Sequence, residues 1–215
     1  MSYGVRVRVR GDYACFTRPE MKAERVSYEV MTPSAARGVL EAIYWKPEIR
    51  WMVEKIHVMK PIRFTSVRRN ELSDKASLDK ILTAMKRGTG NLALFIEDKR
   101  QQRAAIILRD VDYIIEAHFE ILSGEKNDGK HLDQFNRRVK DGACFHRPYL
   151  GCREFPALFE SVDEIPASPV KGDRALGYML HDIDHANDRT AHFFHAKLVD
   201  GVLTVPPLKP AQVKP

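Results

Sequence analysis

The sequence predicts an α+β protein: a ferredoxin-like (RNA-recognition-motif-like) domain over residues 1–156 and a small antiparallel β-sheet domain over residues 157–215. Three observations carry that reading. Strict two-residue alternation marks strands at residues 4–10 and 104–122. Helical spacing of apolar residues marks helices at 32–45 and 130–140. From about Ala157 the texture changes, with Pro166, Pro169 and Gly172 between strand-like runs at 175–184 and 193–205. Strand, helix, strand, further strands, helix, strand is the β-α-β-β-α-β order with an enlarged middle. In that layout the open sheet face, or the groove beside it, commonly holds single-stranded or hairpin RNA.

The first strand reads GVRVRVR. Val5, Val7 and Val9 face one way, and Arg6, Arg8 and Arg10 form a guanidinium row on the other. Such a row can protect an edge strand. Like charges stacked on one face also repel, and an anion such as phosphate would relieve them. The helix that follows starts at Thr32 as N-cap with Pro33 at its first position, carries Ala36, Leu40 and Ile43 as a stripe, and ends before Lys46-Pro47. Tyr44, four residues after Leu40, falls at the margin of the stripe, where its hydroxyl can reach the surface. Residues 50–63 form a second strand with an imperfect pattern, and 64–77 a polar hairpin tip or loop centred on Val67, Arg68, Arg69 and Asn70. A short helix at 77–86 is followed by a turn, a strand at 91–96, the charged turn EDKRQQR and the long strand at 104–122. Residues 123–129 are a polar turn. The helix at 130–140 carries Leu132, Phe135 and Val139, with Arg137, Arg138 and Lys140 at its C-terminal end, where the helix dipole favours cations.

The long strand holds the first chemical signal. Val111, Tyr113, Ile115, Ala117, Phe119 and Ile121 share one face; Asp112, Ile114, Glu116, His118 and Glu120 share a wet one. Flanked by two carboxylates, His118 is expected to titrate above its ordinary value of about 6.5. A histidine protonated near neutral pH can donate a proton to a leaving group. On its own the same pattern also describes a surface histidine on an antiparallel strand.

The chain has 215 residues, with 35 basic against 29 acidic side chains, net charge +6 and a pI of about 9.2. That excess permits an anionic partner such as nucleic acid, including non-specific contact with duplex DNA, without demanding one. No run approaches the roughly 18 apolar residues of a membrane span, so no membrane partner is expected. The opening MSYGVRVRVRG lacks the apolar core of a secretory signal. Cys15, Cys144 and Cys152 are an odd count without Cys-x-x-Cys pairing, which points to the cytoplasm and away from a zinc module.

Residues 145–157, FHRPYLGCREFPA, are the most specific stretch. Pro148 and Gly151 permit a tight backbone excursion, with Arg147 and Arg153 beside exposed amides as a phosphate cradle. Together with the GVRVRVRG opening, SAARGVLEAIYWKPEIRW, DVDYIIEAHFE, LGYMLHDID and FFHAKLVDGVLTVP, it resembles the CRISPR-associated Cas-five proteins of subtype d, from the type I-C system. The motifs come in the same order and span nearly the whole chain. The resemblance implies an endoribonuclease that recognises the hairpin of the CRISPR repeat in the precursor transcript and cuts at its 3′ base. It then stays on the 5′ handle as a subunit of the type I-C interference complex, Cascade. It also implies a ferredoxin-like domain with a small C-terminal β domain. Cleavage is implied to need no metal or other cofactor and to use a Tyr, a Lys and a His. The Tyr falls on Tyr44, in AIYWKP, and the His on His118, in EAHFE. The Lys is absent: Ala117 precedes His118 and Glu116 precedes that, so either another basic residue such as Arg10, Lys46 or Arg147 supplies the charge or cleavage here is weaker.

In metal-free cleavage the 2′-hydroxyl attacks the adjacent phosphate and the 5′-oxygen leaves, so one group must orient the 2′-hydroxyl and another must protonate the leaving oxygen. His118 is assigned as general acid and Tyr44 as the group that orients the 2′-hydroxyl, with an exchange of the two roles as the alternative. The candidate RNA contacts are Arg6, Arg8, Arg10, Lys46, Arg68, Arg69, Arg147 and Arg153. Two other readings compete. His181, Asp182, Asp184 and His185, with His192 and His195, offer metal-type ligands, but on a strand His181 and Asp182 point to opposite faces. A non-catalytic scaffold that only holds the guide is the second, prompted by the missing lysine.

Overall fold

The structure is a computed structural model in which residues 4–21, 23–90, 92–122, 128–184 and 189–207 are described. The elements are β1 (Gly4–Ala14), α1 (Pro33–Ile43), β2 (Ile49–Val58), β3 (Phe64–Leu72), α2 (Leu78–Arg87), α3 (Ile96–Lys99), β4 (Arg100–Ile121), α4 (Asp128–Asp141), β5 (Leu158–Ser161), β6 (Asp173–Asp184), β7 (Thr190–Val199) and β8 (Val202–Thr204). This is a mixed α and β architecture built on one antiparallel sheet of order β5-β1-β4-β2-β8-β7-β6, with β3 paired to β4 off that path.

Alternation decides how β1 and β4 lie. Val5, Val7 and Val9 are buried, as are Tyr113, Ile115, Ala117 and Phe119 opposite them, and both sets join one core. Each buried valine contributes roughly 1.5–3 kcal/mol. Helix α1 covers this face with Ala36, Val39, Leu40 and Ile43; α4 adds Phe135 and Val139. Thr32 caps α1, its hydroxyl accepting from the Ala35 amide at 3.3 Å. The guanidinium of Arg138, in α4, donates to the Ile43 carbonyl at 2.8 Å and ties α4 to the exposed end of α1.

Strand β2 owes its imperfect pattern to a bulge. Val53 pairs with Ala117, Lys55 with Glu116, and Glu54 is the extra residue between them. Parity flips there: Trp51 faces the core before the bulge, Ile56 and Val58 after it, so Lys55 and His57 turn to the opposite face. At its other edge β2 pairs with β8, so strands on both sides of residue 156 share one sheet.

The middle of the chain differs from expectation. Residues 64–72 are not a loop: they form β3, paired along its length with Arg100–Leu108. Exposure alternates strictly along β3, because one of its faces meets Ala105 and Ile107 while the other carries Arg68 and Asn70. Described residues at 92–95 form no strand, and Ile96–Lys99 is a single helical turn. The charged EDKRQQR segment is divided between that turn and the start of β4. The expected polar turn at 123–129 lies mostly outside the described residues.

Candidate active site

The face of the sheet away from α1 and α4 carries the charged residues of β1, β2 and β4. His118 faces outward on β4, with Gly4 of β1 on one side and Met52 of β2 on the other. Its Nδ1 lies 2.6 Å from Oε1 of Glu54, the residue that the bulge re-aims onto this face. The carboxylate beside His118 is therefore Glu54, from another strand, rather than Glu116 or Glu120. Glu116 is engaged elsewhere: His57 Nε2 is 2.8 Å from its Oε1, with Lys55 Nζ and Arg6 Nε each 3.7 Å away. Burial alone would raise the Glu116 carboxyl, but the His57 hydrogen bond and the charges of Lys55, His57 and Arg6 bring it below the ordinary carboxylate range.

A cleft of about 750 Å³ opens beside this group. Arg6, Glu54 and Glu116 line it from the sheet, Asn136 and Lys140 from α4, and Asp163 from the segment after β5. It runs past the start of β1, where Gly4 and Val5 form part of its wall. Cations thus stand on two sides of a space of nucleotide dimensions, with an imidazole–carboxylate pair at its margin. Such a pair can move a proton at Nε2 while the carboxylate holds the ring and its tautomer through Nδ1.

Tyr44 lies elsewhere. It is the C-cap of α1, 3% exposed, with its hydroxyl 2.9 Å from Nδ1 of His131 in α4. His131 in turn packs edge-on against Phe119, with ring centres 6.0 Å apart. Phe119 and His118 are adjacent on a strand and point to opposite faces, so the sheet separates the phenol from the imidazole. The expectation that the Tyr44 hydroxyl reaches the surface is corrected. The apolar stripe of α1 continues into its cap, and α4 closes over it.

The arginine row is real but neutralised from within. Arg8 makes a bidentate pair with buried Asp112, at 3.0 and 2.8 Å; Arg10 reaches Glu160 at 3.2 Å; Arg6 donates to the Asp163 carbonyl at 2.9 Å. Asp112 raises the already basic Arg8 further through that hydrogen-bonded pair. The repulsion expected of the row is relieved by carboxylates on β4 and β5, which needed the strand order to be seen. Asp112 and Ile114 are accordingly buried on the face expected to be wet.

Lys46, Arg68, Arg147 and Arg153 are exposed. Arg69 is held by Glu154 and lies over the Phe155 ring, 5.7 Å from its centre. Of the substitutes considered for the absent lysine, Arg10 is occupied by Glu160; the cations that strand register brings toward His118 are Arg6 and Lys55. In the C-terminal strands Asp182 is bound by Arg37 of α1 at 2.8 Å, and His181 lies 2.7 Å from the Pro206 carbonyl. Among the described residues no group of three His, Cys, Asp or Glu is placed to share a metal; His185 lies outside them.

Sequence reasoning missed Glu54, His57, Lys55, Asn136 and Lys140. The broken alternation in β2 was the one signal for the first three, since a bulge beside an active site re-aims side chains.

This sheet with helices on one face is the architecture of a class of CRISPR-associated proteins. A chain described as "Crystal Structure of CRISPR-associated Protein" matches it with a TM-score of 0.70 at 23% identity, over 99% of this chain and 96% of that one. A chain of a "CRISPR RNA-guided surveillance complex" matches with a TM-score of 0.50 at 12% identity, over 94% and 88%. At these identities the likeness is one of fold. Residues 4–206 match the family model described as "CRISPR-associated protein (Cas_Cas5)", and the chain belongs to that family, Cas5d. It is 53% identical over 224 residues to "CRISPR pre-crRNA endoribonuclease Cas5d" of Mannheimia succiniciproducens, covering 100% of both chains. It is 41% identical over 224 residues to the protein of the same name from Thermus thermophilus, covering 94% of this chain and 91% of that one.

Proposed function

We propose that this protein is a pre-crRNA endoribonuclease that binds the repeat hairpin, cuts at the 3′ base of its stem without a metal, and stays on the 5′ handle as a subunit of the type I-C Cascade. Full-length similarity to two relatives named as pre-crRNA endoribonucleases supports the reaction class. The observation that carries the site is the His118–Glu54 pair on the open sheet face, at the margin of a cleft edged by Arg6 and Lys140.

In the reaction the 2′-hydroxyl gives up its proton to solvent and attacks the adjacent phosphorus, a cyclic phosphate forms, and the bond to the 5′-oxygen breaks as that oxygen takes a proton from His118 Nε2. Glu54 holds the ring in place through Nδ1. Arg6 and Lys55 provide the positive charge that stabilises the phosphorane, in place of the lysine missing from position 117. Tyr44 keeps the assignment of orienting the 2′-hydroxyl only by exchanging His131 for RNA. Tyr44→Phe decides this: cleavage lost with thermal stability unchanged supports a catalytic role, and stability lost with cleavage intact makes it a core residue.

The strand order β5-β1-β4-β2, with α1 and α4 as crossovers on one face, supports the ferredoxin-like reading of the first domain, with its last strand β5 (Leu158–Ser161) lying just past the expected boundary at residue 156 and β6–β8 as the accessory strands. Exposed Lys46, Arg68, Arg147 and Arg153, with Arg6, remain the proposed phosphate contacts, Arg8, Arg10 and Arg69 contributing through exposed edges of their ion pairs. The same cations could hold duplex DNA non-specifically. Among the described residues no helix is long and apolar enough to cross a membrane, which is compatible with work in the cytoplasm.

The separation of Tyr44 from His118 favours one alternative, a subunit that binds the guide without cutting it. Incubation with repeat RNA in excess EDTA separates the readings. The endonuclease yields two defined fragments, the scaffold shifts the RNA intact, and a metal-dependent nuclease is silent until magnesium is restored.

A further inference from the structure

Away from the cleft, the end of β1 meets the loop that follows α4. The Cys15 amide donates to the Leu150 carbonyl at 3.0 Å. Gly151 next to it has φ +83°, and a Cβ there would run into the Cys15 carbonyl. Only glycine lets the loop approach this closely, and the approach sets Cys152 beside Cys15. The Cys152 thiol donates to the Cys15 carbonyl oxygen at 3.6 Å, and Cys15 Sγ is 3.5 Å from Thr17 Oγ1. The two side chains differ in access. Cys15 is fully buried, in a small cluster with Ala105 and Ile107, whereas Cys152 is partly exposed.

The charges around the pair come from three elements. Arg25, between β1 and α1, places Nη1 3.8 Å from Cys152 Sγ. Arg69 comes from β3, and both guanidiniums share Glu154 of the loop, with Arg25 also 3.7 Å from Glu71. The hydrogen bond from Cys15 and the charges of Arg25 and Arg69 outweigh burial and hold the Cys152 thiol down to about 6. Its neighbour Cys152 and burial push the Cys15 thiol up.

We propose that Cys152 and Cys15 form an oxidation-sensitive pair, with Cys152 the attacking thiolate toward hydrogen peroxide and Cys15 the resolving thiol. The Cys152 sulfur attacks one peroxide oxygen; the S–O bond forms, the O–O bond breaks, and the departing hydroxide takes a proton to leave as water. The Cys15 sulfur then attacks the sulfenic sulfur; the S–S bond forms, the S–O bond breaks, and a second water leaves with the Cys15 proton. Two thiols lose two electrons and one peroxide becomes two waters. The product ties the loop that carries Arg153 to the end of β1 and removes the thiolate from between Arg25 and Arg69.

The test uses the full chain, with exposed Cys144 as internal control. After mild peroxide, peptide mapping should give a Cys15–Cys152 cross-linked peptide, lighter by two hydrogens and restored by a dithiol. Cys152→Ser should abolish it, and Cys15→Ala should leave a sulfenic acid on Cys152 that dimedone traps. The Cys152 alkylation rate should level off above about pH 7, with the profile of exposed Cys144 as the reference. Oxidation confined to Cys144, or a Cys152 profile that climbs in step with Cys144, would overturn the proposal. Because Cys15→Ala opens a buried site, the wild-type cross-link and the Cys152→Ser control decide the matter if that variant does not fold.

Discussion

Arg8 and Asp112 show how a residue identified by type acquires a different task from its neighbours. With Asp112 2% exposed and gripped at two points, Arg8→Ala leaves a buried carboxylate without its cation. The expected loss is about 3 kcal/mol, at the low end for a broken buried pair because the Arg8 side chain is one-third exposed. Urea unfolding of the variant checks it; a loss below about 1 kcal/mol would return Arg8 to the surface row. Glu116 makes a pH-dependent claim. Its carboxyl is held below the ordinary value in the folded chain, so its stabilising contribution is full above about pH 4.3 and fades as pH falls through the lower folded value. Glu116→Gln should therefore melt below wild type at pH 7, with the gap closing toward pH 3. A gap that persists at pH 3 would assign the effect to packing. In both pairs the sequence did not show which residues meet, because the partners sit on different strands and register decides the pairing.

Elements were legible where one periodicity ran unbroken. Thr32-Pro33 start α1 as read, and the alternations of β1 and β4 pick out the core-facing residues Val5–Val9 and Tyr113–Phe119, although Asp112 and Ile114 on the face read as wet are buried too. Strand β3 was hidden because its polar faces carry little hydrophobic contrast, and it is stabilised by pairing along β4 rather than by burial of its own. Likewise the bulge at Glu54 depends on register against Ala117 and Glu116, which no single strand reveals. In the proposed mechanism Glu54 acts through His118, so Glu54→Gln should reduce cleavage and shift its pH profile while leaving RNA affinity near wild type; an unchanged profile would detach the bulge from catalysis. The loop at Gly151 is a second such element. Gly151→Ala meets both a positive φ and the Cys15 carbonyl, and a loss of about 2–4 kcal/mol in thermal or urea unfolding is expected. A neutral result would mean that the loop swings clear of β1.

For the whole molecule, one sheet does the organising. It buries α1 and α4 on one face, presents the His118–Glu54 pair on the other, and continues through β8 into the C-terminal strands. The mixed α and β character was readable in advance, while the middle of the element order, from β3 to α3, was not. What was not readable was which side of the sheet each chemical group would occupy, since that follows from helix packing over Phe119 and Trp51. A basic molecule that grips RNA through phosphates should lose affinity steeply with salt; an affinity unchanged between about 50 and 200 mM salt would indicate base stacking instead. The central claim is that His118 supplies the proton to the leaving 5′-oxygen. The most direct measurement compares wild type and His118→Ala on the cognate repeat RNA in EDTA, following cleavage and gel-shift affinity together. The account predicts that wild type cuts at one position in EDTA. His118→Ala should cut about 10²–10⁴-fold more slowly while its affinity is retained. Cleavage by His118→Ala at the wild-type rate would contradict it.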